Sequence, residues 1–333
     1  SKHVKGGGAV PKSDFLCLHH LPALIEEHDA KLRILVDRNT FLGIIADETM
    51  DLQNRAVFYI LFQILCPADQ LTDGFDELSA PLLVKTVYID KVNHASVSQA
   101  LIQCCSDFQI NFQNVLLFVT DSASYFAKAW KDILSLLWIN CQHMHCHAHI
   151  ISLAGNVMRL RMPDVDRCVS QLKSCLVKAP ARRNRFLRHL QSCAVELHSL
   201  PPEPVLTQGN TWFEAVLYHA SFIPHYSAFI SKEREEEGDS AALLELSSLL
   251  SSSSLSDHFT FLASNCPRLI AALNVCQSRK PQVHEVYNLM QDLTSWLIHL
   301  SSSAIDENCA SAATATALKF KEYMQEKKQL CIR

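Results

Sequence analysis

Apolar positions in the first half of the chain gather into short unbroken runs, whereas in the second half they recur every three to four residues. The run at residues 41–47 (Phe-Leu-Gly-Ile-Ile-Ala-Asp) ends on Asp47, and a second run at 114–121 ends on Asp121. Aliphatic and β-branched residues without polar alternation, bounded by turn formers, predict buried strands. Residues 56–66 are strongly β-prone and stop before Pro67, residues 82–89 give another strand, and 139–145 a short last one. The polar link 47–55 has hairpin length. Helical spacing appears at 16–38 (Leu24, Ile25, Leu32 and Leu35 near one face), 94–108, 122–138 and 146–160.

The order is therefore three strands, helix, strand, helix, strand, helix. An antiparallel meander followed by right-handed crossovers predicts an α/β fold with a ribonuclease H-like mixed sheet. In that order the first and fourth strands are neighbours, which brings Asp47 beside Asp121. From Pro163 onward helices dominate, at 165–178, 182–197, 212–231, 243–250, 255–262, 267–276, 283–300 and 312–329. The serines 251–254 and the acidic run 233–239 mark exposed joints. The expected division is a lead-in and helix at 1–38, a catalytic-type core at 39–160, and a large all-helical insertion or C-terminal region at 161–333.

An acid at the C-terminal edge of a buried strand faces the crevice where open α/β sheets bind ligands. Two such acids on adjacent strands suit Mg²⁺ or Mn²⁺ and phosphodiester chemistry. The competing reading makes each Asp a turn or helix-capping residue, since Asp121 immediately precedes a helical pattern.

Composition narrows the alternatives. Of 333 residues 48% are apolar and 19% charged, enough for a substantial core. No apolar stretch approaches the length of a membrane span, so no membrane partner is expected. Thirteen cysteines scattered through helical patterns fit reduced thiols of the cytosol or nucleus. Eight glycines, three of them at 6–8, argue against phosphate cradles and nucleotide cofactors. The segment 6–13 mimics a P-loop, but Pro11 stands where a glycine amide would hold phosphate. Starting on Ser1 without Met and ending in a charged helix, the chain reads as part of a longer product.

Net charge is −4, so nucleic-acid binding needs a local patch. Residues 156–188 carry nine Arg and Lys against two Asp, a net of +7. Lys178, Arg182, Arg183, Arg185 and Arg188 are the expected DNA-contacting set; solvated helix faces are the plainer alternative. The stretch 141–149 holds Cys141, His143, His145, Cys146, His147 and His149. A packing or hydrogen-bonding role at the sheet–helix junction is the reading there, with structural zinc the alternative.

Four stretches together resemble the hAT superfamily of DNA transposases, in the vertebrate branch related to the CGG triplet repeat-binding protein. They are residues 41–51 with Asp47-Glu48-Thr49-Met50-Asp51, residues 116–125 around Asp121, the signature Cys146-His147-Ala148-His149, and residues 201–212 ending on Trp212. Residues 2–14 are similar to the tail of that branch's repeat-binding proteins, and the likeness covers about residues 1–230. The resemblance implies a two-Asp, one-Glu site holding two metal ions, with Asp47 and Asp121 as the Asp pair and metal ligands. It implies that Cys146 and His149 open a helical insertion. The family's third acid lies beyond that insertion, and Glu285 is the candidate substitute. Gln208-Gly209 stand where the family has Arg-Trp, and Trp212 matches a Trp further downstream. The function implied is a domesticated or truncated transposase derivative: a nuclear DNA-binding protein without competent transposition. The alternatives are an active metal-dependent DNA transposase or nuclease, and a protein-interaction module that binds protein partners or its own copies.

Overall fold

The computed structural model describes residues 12–36, 40–65, 80–177, 179–193, 201–202, 209–278, 283–302 and 306–326. The lead-in up to residue 11, the loop 68–77, Lys178 and residues 203–208 of the 201–212 stretch, Gln208 among them, lie outside the described residues. Two compact units divide between Cys146 and His147.

The first unit holds strands β1 (Leu42–Met50), β2 (Ala56–Ile64), β3 (Leu82–Ile89), β4 (Val115–Thr120) and β5 (Gln142–His145). They form one mixed sheet in the order β3-β2-β1-β4-β5, with β1 antiparallel to β2 and parallel to β4. The first and fourth strands are thus neighbours. β1 differs from expectation in length. It does not stop at Asp47, because Thr49 still pairs with Val57 and Met50 with Ala56. The hairpin turn is correspondingly short. Asp51 Oδ1 accepts the amides of Gln53 and Arg55 at 2.8 and 2.9 Å, and Asn54 takes φ 58°, a left-handed conformation that Asn tolerates.

Helix α1 (Leu21–Leu35) precedes the sheet, α2 (His94–Asp107) links β3 to β4, and α3 (Ser124–Ala129) follows β4. α2 begins where Asn93 caps the amides of Ala95 and Ser96. Period-two alternation puts Leu42, Ile44 and Ala46 of β1 on one sheet face with Phe58, Ile60 and Phe62 of β2. They pack against Val97, Leu101, Cys104 and Cys105 of α2, Phe126 and Ala129 of α3, and the fully buried Trp138.

The second unit is helical throughout its described residues: α4 (His147–Leu160), α5 (Pro163–Val177), α6 (Pro180–Ser192), α7 (Gly209–Glu237), α8 (Ala241–Leu250), α9 (Ser253–Cys276), α10 (Val283–Ser302) and α11 (Glu307–Glu326). α4 belongs here rather than to the sheet unit, as its apolar face packs on α7, α9 and α11. That moves the boundary ahead of the expected break after residue 160.

Two prolines fail to break helices. Pro224 lies inside α7, within the single helix expected at 212–231, and Pro267 lies inside α9, where two helices were expected at 255–262 and 267–276. An interior proline costs about 3 kcal/mol. Cys266, Leu269 and Leu273 around Pro267, and Tyr226, Phe229 and Ile230 after Pro224, are all buried. At roughly 1.5–3 kcal/mol for each large apolar side chain, that packing outweighs the break.

Candidate functional site

β1 and β4 run in parallel register with Ile44 opposite Phe118, Ile45 opposite Val119 and Ala46 opposite Thr120. Asp47 and Asp121 are the next residues on each strand. Because Ala46 and Thr120 are both buried, the pleat directs the following residue of each strand to the opposite side. The two acids therefore leave the same end of the sheet on adjoining strands.

Their local bonding differs. Asp121 is half-buried, and its Oδ1 accepts the Ala123 amide at 2.9 Å as the chain turns into α3. Its carbonyl oxygen accepts Thr120 Oγ1 and faces His145 Nδ1, both at 2.9 Å. Asp121 thus has the turn role of the competing reading at its place at the sheet end, while the N-cap of α3 is Ala123 and has no side-chain cap. Asp47 is exposed, and its Oδ1 accepts the Glu48 amide at 3.0 Å.

Glu48 points to the core side of β1, opposite Phe58, and accepts the Tyr125 hydroxyl at 3.3 Å. Burial first, and then the charges of Asp121, Glu48 and Asp47, push the Tyr125 phenol far above its usual range. Tyr125 is thus a proton-holding donor within the field of all three carboxylates. The three acids do not bring one ligand atom each to within 4.8 Å of one another, so the sheet end offers two Asp residues on adjoining strands and a Tyr–Glu pair.

The 141–149 stretch is used for packing and hydrogen bonding in its described contacts. His143 stacks on Phe118 with ring centroids 5.0 Å apart and its Nε2 lies 2.9 Å from Thr120 Oγ1. Burial pushes the Cys141 thiol up to about 12. The Cys146 amide donates to the Thr120 carbonyl at 2.7 Å, closing the sheet unit, and His149 lies half-buried in the first turn of α4.

Part of the basic set is held in ion pairs. Glu233, read from sequence as part of an exposed acidic joint, is 2% exposed because α7 continues to Glu237. Its carboxylate takes Arg182 Nε at 2.8 Å and Arg185 Nε and Nη2 at 2.5 and 2.8 Å. Arg159 pairs with Asp166 at 2.6 Å and Arg167 with Glu245 at 2.9 Å. The sequence count of +7 omitted Glu233 and Glu245, which return from α7 and α8. Of the expected DNA-contacting set, Arg183 and Arg188 have no ion pair to a described residue. Trp212 is buried, with the Arg159 guanidinium 5.9 Å from its ring centre. Glu285 is an exposed residue in the first turn of α10.

Comparison with protein-family models and with curated proteins returns no match.

One cluster was missed from sequence. His258 of α9, Asp306 just ahead of α11 and Cys309 within it bring one ligand atom each to within 4.8 Å of one another. Among the described residues it is the one such group of three His, Cys, Asp or Glu side chains, and it draws nothing from 141–149. The Asp-x-x-Cys spacing was the available local signal, but its partner lies 48 residues upstream.

Proposed function

We propose that the sheet unit is a ribonuclease H-like domain of hAT-transposase descent and that the protein is a nuclear DNA-binding derivative without competent transposition. The observation that carries this reading is the sheet order β3-β2-β1-β4-β5 with Asp47 and Asp121 one residue past the last β1–β4 rung. That order matches the connection rules for a meander followed by crossovers, and it sets two acids at one sheet edge.

The donor chemistry of the edge fits Mg²⁺ or Mn²⁺, hard cations that take carboxylate oxygens and complete their shells with water and phosphate. Asp47 and Asp121 would be the ligands. When bound, such an ion lowers the pKa of a water and offsets phosphate charge. Asp121 is held in place by the Ala123 amide, and Tyr125 keeps its proton in the bond to Glu48. The absence of a converging third acid among the described residues favours binding over strand transfer. Arg183 and Arg188 supply the phosphate-tracking charge, because Arg182 and Arg185 are committed to Glu233.

Fluorescence anisotropy with duplex DNA, with and without Mg²⁺, tests the reading. Binding that falls steeply with salt, with a log–log slope reduced by about 1 for each of Arg183→Ala and Arg188→Ala, is expected. No binding at low salt would leave a protein-interaction module as the better account. The register of Asp47 with Asp121 also favours a second reading, a metal-dependent nuclease; Mn²⁺-dependent nicking that disappears in Asp47→Asn would select it.

A further inference from the structure

We propose that His258, Asp306 and Cys309 form a Zn²⁺ site inside the helical unit, separate from the carboxylate edge. α9 contributes a ring nitrogen, and the N-terminal turn of α11 contributes a carboxylate and a thiol, all within 4.8 Å of one another. The turn is already built. Asp306 Oδ1 accepts the Cys309 amide at 2.7 Å, and Oδ2 lies 3.1 Å from His258 Nε2. Spacing of i, i+3 sets Asp306 and Cys309 on one side of the helix start, facing α9.

His258 is a buried member of the cluster, 3% exposed, and its Nδ1 has no hydrogen-bond partner among the described residues. A neutral imidazole has one lone pair to give to a cation. Nε2 lies 3.1 Å from Asp306 Oδ2, so it is the nitrogen turned toward the carboxylate. With the proton on Nδ1, the Nε2 lone pair, the Asp306 carboxylate and the Cys309 thiolate are the three ligands.

The ligand set selects the ion. Thiolate with imidazole suits Zn²⁺, whereas Mg²⁺ and Ca²⁺ prefer all-oxygen shells. The start of α11 presents about half a positive charge, which disfavours a cation. One thiolate and one carboxylate outweigh it, and with Zn²⁺ the site is electrically neutral. As the Zn–S bond forms, the S–H bond breaks and its proton passes to solvent. Access is from the Asp306 side, which is 34% exposed, whereas Cys309 is fully buried. Three protein ligands leave a fourth position for water.

The test is titration of the metal-free full chain with Co²⁺ as a spectroscopic probe, followed by Zn²⁺ competition. One equivalent of Co²⁺ with a thiolate-to-metal charge-transfer band, displaced by Zn²⁺ and untouched by excess Mg²⁺, is expected. Cys309→Ser should abolish the band, and Cys146→Ser should keep it. Asp306→Asn preserves the helix cap while removing the charge, and should weaken binding roughly 10- to 100-fold. Should Cys309→Ser fold poorly, the Zn²⁺-induced rise in melting temperature gives the second readout: present in the parent, much reduced in Asp306→Asn. No thiolate band, a band that survives Cys309→Ser, or a band lost in Cys146→Ser overturns the proposal, the last assigning the ion to the 141–149 stretch.

Discussion

Ala46 lies opposite Thr120 on the last paired rung between β1 and β4, and that single register fixes the neighbourhood of Asp47 and Asp121. A one-residue slip would move both acids relative to the sheet faces, and the buried alternation of Ile44, Ala46 and Phe118 forbids it. Asp47→Asn and Asp121→Asn should therefore remove a charge without disturbing the fold. Asn can still accept the Ala123 amide, so stability in EDTA should change by less than about 1 kcal/mol. Divalent-cation stabilisation should be lost in both. At ten times Kd it amounts to about 1.4 kcal/mol in the parent. Thermal melts with and without Mg²⁺ check this; equal Mg²⁺ stabilisation in all three proteins would detach the ion from the edge.

Glu233 is the pivot of an ion cluster that joins α6 to α7. Removing it leaves Arg182, at 21% exposure, with the Cys175 carbonyl and Arg185, at 23%, with Glu237 at 3.3 Å in place of their main acceptor. Breaking a buried pair in this way costs about 3–5 kcal/mol, and the partial exposure of the arginines puts Glu233→Ala at the lower end. Burial raises the Glu233 pKa, but the hydrogen bonds and charges of Arg185 and Arg182 outweigh it, and the net shift is downward. A carboxylate with a lowered native pKa stabilises fully above its unfolded value, near 4.5. That stability is lost as pH falls through the lower native value. Urea melts from pH 6 to pH 3 should show the parent losing stability faster than Glu233→Ala. The same geometry predicts that Arg182→Ala and Arg185→Ala act on the proposed DNA binding through the fold.

Legibility in the chain followed range of interaction. Unbroken apolar runs announced β1 and β4 because burial on both faces needs only local composition. The extension of β1 to Met50 did not show, because its polar tail is held by pairing with β2 rather than by burial. Pro267 read as the start of a new helix, since its local cost is visible and the packing that outweighs it comes from distant helices. Glu233 read as a solvated charge for the same reason: its two arginines lie about fifty positions upstream. The adjacency of β1 and β4 was legible because element order alone implies it, whereas the His258–Asp306–Cys309 cluster depends on how α9 meets α11, and its Asp-x-x-Cys spacing does not point to His258.

His219 and Tyr226 form a buried pair on one side of α7, with Nδ1 2.7 Å from the Tyr226 hydroxyl. Burial lowers the His219 pKa from 6.5 to about 3, so the folded protein keeps the ring neutral. Below pH 6.5 the unfolded chain takes up a proton that the folded chain refuses. Stability should therefore fall by up to roughly 1.4 kcal/mol per pH unit between about 6.5 and 3 from this residue alone. His219→Gln, which can still bond the hydroxyl, should flatten that part of the profile. Chemical denaturation at pH 7.0, 6.0 and 5.0 measures the difference. Parallel slopes in the two proteins would mean that the ring protonates without unfolding.

Gly155 of α4 marks a close approach of α4 to α7. A Cβ there would come within 2.6 Å of the Phe213 ring of α7, nearer than any real contact. Phe213 is 1% exposed and fixed edge-on to Trp212, so the ring cannot swing aside into solvent. Helix propensity alone would make Gly155→Ala stabilising by up to about 1 kcal/mol. Overpacking a closed core costs about 1–3 kcal/mol, which reverses the sign. The expected net effect is a loss of about 1 kcal/mol or more, read as a lower denaturation midpoint at unchanged m-value. The double variant Gly155→Ala with Phe213→Leu should recover part of it, because the smaller side chain makes room for the methyl group. If Gly155→Ala stabilises the protein, α4 and α7 do not approach as closely at this point.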